Sequence, residues 1–440
     1  MFLGCVTLFQ TSSCRFVSYD VVDDDGYVAV RVEVNATGEV TLKLFDPSDK
    51  IVEEKQLDEG LQIVTLDLGG YHEMPSSGSY TLRAYGELED VVAEKRFVVS
   101  PPSLSISGFS GEWWKEGMGS YSLIEVVLSV KNTGNVPVYL KKMNVTVDGS
   151  TFSAFIFDGV VEGGETKEIA ASFYIPDLAD VEHGLTVDVF DFSGGMMASE
   201  RFSDKPFYDS SMRRFTLNWK YKWRSYSVTL PLPEKLFGFC SSMERPLVED
   251  YSFYVISPYD DGYVDMVTEK LTSLFNGEGE ELINFIASFV QSIPYEEESG
   301  EYPQFPVELL FNGSGDCEDK AIFASSILYN LGYDVALLRF PEHMAVGVHL
   351  PDAIYDGRVY YEDSFGKRYL FLETSNTVWM LGNADLEYKH VANFTLYHVV
   401  SKPVLVQECE PPTRYTSVVE DYVEVETAVS NIGTADADDV

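Results

Sequence analysis

Cysteine acts as a nucleophile only as a thiolate, and a thiolate needs a positive environment. One cysteine in this chain stands where a fold could supply it, within Gly313-Ser314-Gly315-Asp316-Cys317-Glu318-Asp319. Asp316 reads as the N-cap of a helix, with Asp319, three residues on, completing a capping box. Cys317 then falls in the first turn, where free backbone N–H groups and the helix dipole favour an anion. Glu318 and Asp319 oppose that effect, so the sulfur needs a cationic neighbour. His343, in Pro341-Glu342-His343-Met344-Ala345-Val346-Gly347-Val348, opens a predicted strand and can serve as that cation and as the base. A third group must orient the imidazole. Glu373, closing the apolar run Leu370-Phe371-Leu372, is an acid in a costly position for one without a task. The chemistry these three support is attack on a carbonyl through a thioester.

The elements that must hold them follow from apolar periodicity. Helices are predicted over 265–275 and 280–292, the second ended by Pro294. A third runs over 316–330, closed by Leu331-Gly332, with Ala321, Ala324, Leu328 and Leu331 along one face. Strands are expected over 334–340, 344–350, 359–362, 368–373 and 394–400, and one aromatic strand over 215–232. Each candidate also has a plainer reading. A lone cysteine on a helix serves as a small buried hydrophobe, His343 as a core histidine, and Glu373 as a strand-end acid. Cys317, His343 and His349 could in principle bind zinc. They contain no close ligand pair, so no metal is expected. His72, His183, His390 and His398 join no constellation.

Five pieces occur in order: Tyr302-Pro303-x-Phe305-Pro306-Val307-Glu308, Gly315-Asp316-Cys317-Glu318-Asp319, Gly332-Tyr333-Asp334-Val335, the His343 segment, and Leu372-Glu373-Thr374. Together they resemble the transglutaminase-like superfamily over about residues 205–400, just under half the chain. The resemblance implies a papain-like α+β core that needs no cofactor. It implies Cys317 as nucleophile, His343 as base, and Glu373 in the position of the family's Asp, a departure in side-chain length. Gln291, in Phe289-Val290-Gln291-Ser292-Ile293-Pro294-Tyr295, matches the upstream residue that can lend an oxyanion donor beside the Cys317 N–H. The implied substrate is a protein or peptide, attacked at a peptide or carboxamide bond. Hydrolysis and transfer to an amine stay open, with water needing no second binding site.

Outside the core, alternating strands such as Val28–Val34 and turn-rich spacing predict all-β, Ig-like sandwiches over 15–100 and 103–203. The expected class is therefore multidomain: two N-terminal sandwiches, then an α+β core over 205–402. An offset of 299 residues carries Val126, Val130, Asn132 and Gly134 onto Val425, Val429, Asn431 and Gly433. This internal repeat reads as the start of a third sandwich over 403–440, its Asn and Gly supplying a positive φ at the turn. The last residues are expected as an orphan strand pair or as disordered chain. Such modules resemble adhesion-type domains of microbial surface proteins and carry no catalytic signature.

The 440 residues hold 31 Lys+Arg against 71 Asp+Glu, a net charge of −40 that argues against nucleic acid and anionic lipid as general partners. Five cysteines are too few for a disulfide scaffold, though Cys240 and Cys409 could pair across the ends of the core. No apolar run is long enough to span a membrane. Four sequons, at Asn35, Asn144, Asn312 and Asn393, suit an extracytoplasmic protein. Phe2-Leu3-Gly4-Cys5 matches the cleavage box of a lipoprotein with only four residues before Cys5. Either an upstream signal is missing and Cys5 carries a lipid anchor, or the match is chance. The expected function is a secreted or surface-anchored cysteine acyl-transfer enzyme. The alternative is a surface adhesion or scaffold protein whose core is structural.

Overall fold

The computed structural model describes residues 12–409 except 247, 298–299 and 390, and then 413–416, 421–424, 427–431 and 433–435. Cys5 and His390 lie outside the described residues. The chain is mostly β and divides into two compact units. The first takes 12–111, 126–171 and 181–205; the second takes 112–125, 172–180 and everything from 206. Among the described residues no helix is long and apolar enough to cross a membrane.

In the first unit β1 (Ser13–Asp24), β2 (Tyr27–Thr37), β3 (Val40–Phe45), β4 (Ile51–Leu57), β5 (Gly60–Asp67), β6 (Gly78–Gly86) and β7 (Val91–Val99) form two sheets. Their orders are β1-β2-β5 and β4-β3-β6-β7. Period-two alternation puts Val30, Val32 and Val34 of β2 in one cluster with Leu42 and Leu44 of β3, Leu82 and Ala84 of β6, and Phe97 of β7. The layers are held by apolar burial between facing sheets.

Next come β8 (Leu104–Gly117), β9 (Ser120–Asn132), β10 (Val138–Val147), β11 (Ser150–Phe157), β12 (Val160–Val161), β13 (Thr166–Ala179), β14 (His183–Asp191) and β15 (Met196–Asp204). They join in one hydrogen-bonded path, β15-β14-β10-β11-β13-β9-β8, with β12 on β10. Asn132 ends β9 fully buried, its amide donating to Val136 O at 2.7 Å and Val161 O at 3.0 Å and accepting from Gly134 N at 2.9 Å. Gly134 does not take the positive φ expected of it. It is needed because a Cβ there would lie 2.8 Å from Pro102 Cα and 3.0 Å from Pro101 O. The repeat extends to these bonds: Asn431 donates to Ala435 O at 2.7 Å and accepts from Gly433 N at 3.0 Å.

In the second unit the residues expected as one aromatic strand form a hairpin, β16 (Arg214–Tyr221) with β17 (Arg224–Pro231). The turn is Lys222, at φ 52°, and the fully exposed Trp223, so no Gly or Asn marks it in the sequence. Six helices follow: α1 (Glu234–Ser242), α2 (Ser252–Val255), α3 (Asp261–Leu274), α4 (Glu280–Gln291), α5 (Pro306–Asn312) and α6 (Cys317–Asn330). The sheet β20-β21-β19-β18-β22 is antiparallel throughout, from β18 (Asp334–Phe340), β19 (His343–His349), β20 (Tyr360–Glu362), β21 (Arg368–Leu372) and β22 (Thr395–His398). α6 packs on β18 and β19 and is flanked by α2, α3, α4 and α5. It is buried all round from Asp319 to Leu328, where a single apolar face was expected. The helices α1, α2 and α5 escape apolar periodicity because each is nine residues or fewer.

Cys240, in α1, is a buried free thiol, so it does not form the disulfide considered for it. The Cys409 side chain is outside the described residues. Beyond the sheet, β23 (Leu405–Cys409) pairs β26 (Thr427–Asn431), and β24 (Thr413–Thr416) pairs β25 (Asp421–Glu424). The single strand expected over 423–430 is thus two, and residues 425–426 between them lie outside the described set.

Candidate functional site

Cys317 is the first residue of α6, and the loop before it is built by close approach. A Cβ on Gly315 would lie 2.6 Å from both Leu309 Cδ1 and Asp319 Oδ2. Asp316 is the N-cap, and the capping box with Asp319 is formed, the Asp319 carboxylate accepting from the Asp316 N–H at 3.1 Å. Asp319 also accepts from Gln304 N at 2.8 Å and Gln304 Nε2 at 2.6 Å, which pins the turn from the α5 side.

His343 is the first residue of β19, and Glu373 stands one residue past β21. These strands are antiparallel neighbours with Val346 opposite Leu372, so extending the register by one puts Glu373 beside Ala345, on the same face as His343. The side chains meet: His343 Nε2 lies 3.1 Å from Glu373 Oε2, both largely buried. Glu373 Oε1 accepts from Ser375 N at 2.8 Å and Asn376 N at 3.4 Å. With Nε2 engaged by a carboxylate, the neutral ring carries its proton there and leaves Nδ1 bare. Tyr388 packs on the ring with centroids 4.8 Å apart.

Gln291, at the end of α4, departs from its expected role. Its Nε2 donates to Glu373 O at 2.8 Å and to Trp379 O at 2.9 Å. A side-chain amide has two N–H groups, and both are used on the loop after β21, leaving none for an oxyanion. His349, at the far end of β19, is about 20 Å from His343 at ~3.3 Å per residue, so the two cannot share a zinc ion with Cys317. Its Nδ1 lies 2.8 Å from Arg368 O.

The electrostatics at the sulfur run against the thiolate. Cys317 Sγ donates to Glu318 Oε2 at 3.2 Å. Burial first, then the charge and hydrogen bond of Glu318, push the Cys317 thiol well above its ordinary value. The backbone N–H of Met344, the residue after His343, acts in the opposite sense and favours charge on the sulfur. Burial and Glu318 also push the Asp316 carboxyl up, to about 8. Glu373 is the contrast: burial raises it, but the hydrogen bond and charge of His343 with the Ser375 and Asn376 N–H groups outweigh that and hold it below the usual carboxylate range. Glu318→Gln removes the charge nearest the sulfur, and alkylation of Cys317 by iodoacetamide at pH 7 becomes about tenfold faster, one pKa unit of thiolate. Mass-spectrometric rates on both proteins check this.

One ligand atom each from Asp316, Cys317 and Glu318 lie within 4.8 Å of one another. They are consecutive residues, and the thiol and two carboxylates offer a mixed donor set with no imidazole. Two further residues border the site without a signal in the motif. Tyr295, tied to the cysteine loop by a bridge to Gly315, has its phenol pushed to about 12, by burial first and then by the negative groups around Cys317. Lys320, one turn after Cys317, is fully buried. A lysine directly before the uncharged run Ala321–Leu328 was the available clue to it.

No family model matches the chain, and no curated protein matches it. Solved structures do, distantly. Latent PorU from Porphyromonas gingivalis shares 13% identity over 50% of this chain and 26% of its own, with a TM-score of 0.20. The BSP domain of a biofilm-associated protein shares 13% over 44% of this chain and 29% of its own, at TM-score 0.16. Fibronectin(III)-like modules of Clostridium thermocellum CbhA share 9% over 44% and 93%, at TM-score 0.14. The chain spans under a third of the length of the first two, and likeness at this level carries nothing about the site.

Proposed function

We propose that the second unit is a cysteine acyl-transfer domain of the transglutaminase-like type, with Cys317 as nucleophile, His343 as base and Glu373 as the group that orients the base. The supporting observation is the buried His343–Glu373 hydrogen bond at 3.1 Å, at the strand start whose next N–H acts on the Cys317 sulfur. Nδ1 of His343 takes the thiol proton as the sulfur attacks a carboxamide or peptide carbonyl. The S–C bond forms, and His343 returns the proton to the departing amine as the C–N bond breaks. Water or an amine then attacks the thioester and restores the thiol. Glu373 stays ionised through the cycle and stabilises the imidazolium. The net charge of −40 favours cationic acyl acceptors or basic peptides over acidic ones. The four sequons and the sandwich-like sheets support a place outside the cytoplasm, at the cell surface.

The scaffold reading has one observation in its favour: the thiol is hydrogen-bonded to a carboxylate. Incubation with cell-surface extract separates the two. The catalytic reading requires an acyl mass on Cys317 that hydroxylamine releases and that Cys317→Ala lacks. No such adduct between pH 6 and 9 favours the scaffold.

A further inference from the structure

Lys320 is charged, fully buried and unused by the proposed chemistry. Its Nζ donates to Ile293 O at 2.7 Å, with Ser375 O at 3.4 Å and Gln291 O at 3.5 Å. All three acceptors are backbone carbonyls, so the ammonium meets no hydrogen-bonded counter-ion and its three donors are spent on chain geometry. Those carbonyls belong to two segments. Gln291 and Ile293 are the last residue of α4 and the chain just beyond it, where the helix dipole favours a cation. Ser375 is in the loop after β21, and its own N–H donates to Glu373 Oε1. A chain of contacts therefore runs from Lys320 through Ser375 and Glu373 to the His343 ring. The loop also carries local strain: Val378, β-branched and 90% exposed, sits at φ 72°. Such a conformation persists only where neighbours hold it; Lys320 and Gln291 bond the loop before and after Val378, and Asn284 and Arg358 bond Leu381 beyond it.

We propose that Lys320 is a positioning residue: its buried ammonium ties the segment bearing Glu373 to the helix bearing Cys317, and thereby holds the Glu373 carboxylate against Nε2 of His343. The role in catalysis rests on the reading of Cys317 as nucleophile; the positioning of the His343–Glu373 pair does not. Burial pushes the Lys320 ammonium down, in part offset by the Glu373 charge, to about 8.

The test uses the full chain labelled with ¹⁵N-histidine, His343 being assigned by its loss in His343→Gln. In the wild type the neutral ring shows the Nε2–H tautomer signature. In Lys320→Met, which keeps the aliphatic stem and drops the donors, that signature becomes a mixture of tautomers, and Lys320→Arg restores most of it. Alkylation of Cys317 at pH 7 falls about tenfold in the Met variant as the base loses its orientation. An unchanged tautomer in a folded Lys320→Met protein overturns the proposal. Should that variant not fold, ¹⁵N-lysine spectra of the wild type decide, because a Lys320 that is neutral at pH 7 also overturns it. Equal alkylation of wild type and His343→Ala sinks the nucleophile reading instead, and the tautomer comparison still decides the role of Lys320.

Discussion

His343→Ala slows the alkylation of Cys317 by iodoacetamide at pH 7 about a hundredfold, the low end of what a positioned base contributes. Burial and Glu318 hold the thiol neutral, so its proton leaves only if a base takes it. His343 opens β19, next to Met344, whose backbone N–H acts on the sulfur. Its orienting partner sets the acid side of the profile. The folded Glu373 carboxyl is held below its ordinary value, so the stability it contributes is present above the ordinary carboxylate range and is lost as pH falls through the lowered value. The Glu373 contribution to the wild-type rate accordingly fails only in acid. A rate-against-pH series on both proteins checks this. Identical profiles for wild type and His343→Ala would falsify the assignment of the base.

Arg245→Met destabilises the second unit by about 3–5 kcal/mol, the cost of stranding one member of a buried ion pair. Arg245 Nη2 lies 2.6 Å from Glu308 Oε2, and both side chains are almost wholly out of solvent. Glu308 also accepts from the Phe305 N–H at 2.9 Å and from the Tyr302 hydroxyl at 3.0 Å. The guanidinium donates to Pro303 O, Cys240 O and Met243 O and stacks over the Tyr302 ring at 4.3 Å. Removing it leaves the Glu308 carboxyl buried at the start of α5, one helix before the cysteine loop. Urea unfolding measures the loss. The double variant Arg245→Met, Glu308→Leu recovers most of it, since no charge is then stranded. A single-variant loss below about 1 kcal/mol contradicts this account.

The three residues proposed for the chemistry were legible because each is announced locally. The Asp316–Asp319 capping box marks where α6 begins, and alternation marks β19 and β21 to within a residue. The partners were not legible, because they come from distant parts of the chain. Arg245 and Glu308 are 63 residues apart, and Lys320 finds acceptors 27 and 55 residues away. Gln291 was found by its place in a motif, but its role depends on Trp379, 88 residues on, which no spacing announces. Glu318 was read correctly as an opposing charge, yet not as the group that holds the thiol proton. Among the flanking strands, alternation found the sheets, while the Lys222-Trp223 turn was missed for want of the usual turn residues. Gly134 was assigned to backbone freedom when the closeness of Pro101 and Pro102 is what excludes a side chain.

The burial of α6 on every side constrains how this protein can diversify. A helix with one free face can accept surface changes that retune the group it carries. From Asp319 to Leu328 every side chain is buried against other parts of the unit, so a change there is felt as a packing defect before it is felt as chemistry. Variation around the proposed site is thereby pushed outward, to residues 295–297, the 374–380 loop and Tyr388. The proposed nucleophile can stay fixed through many generations of change in those borders without rebuilding the helix that carries it.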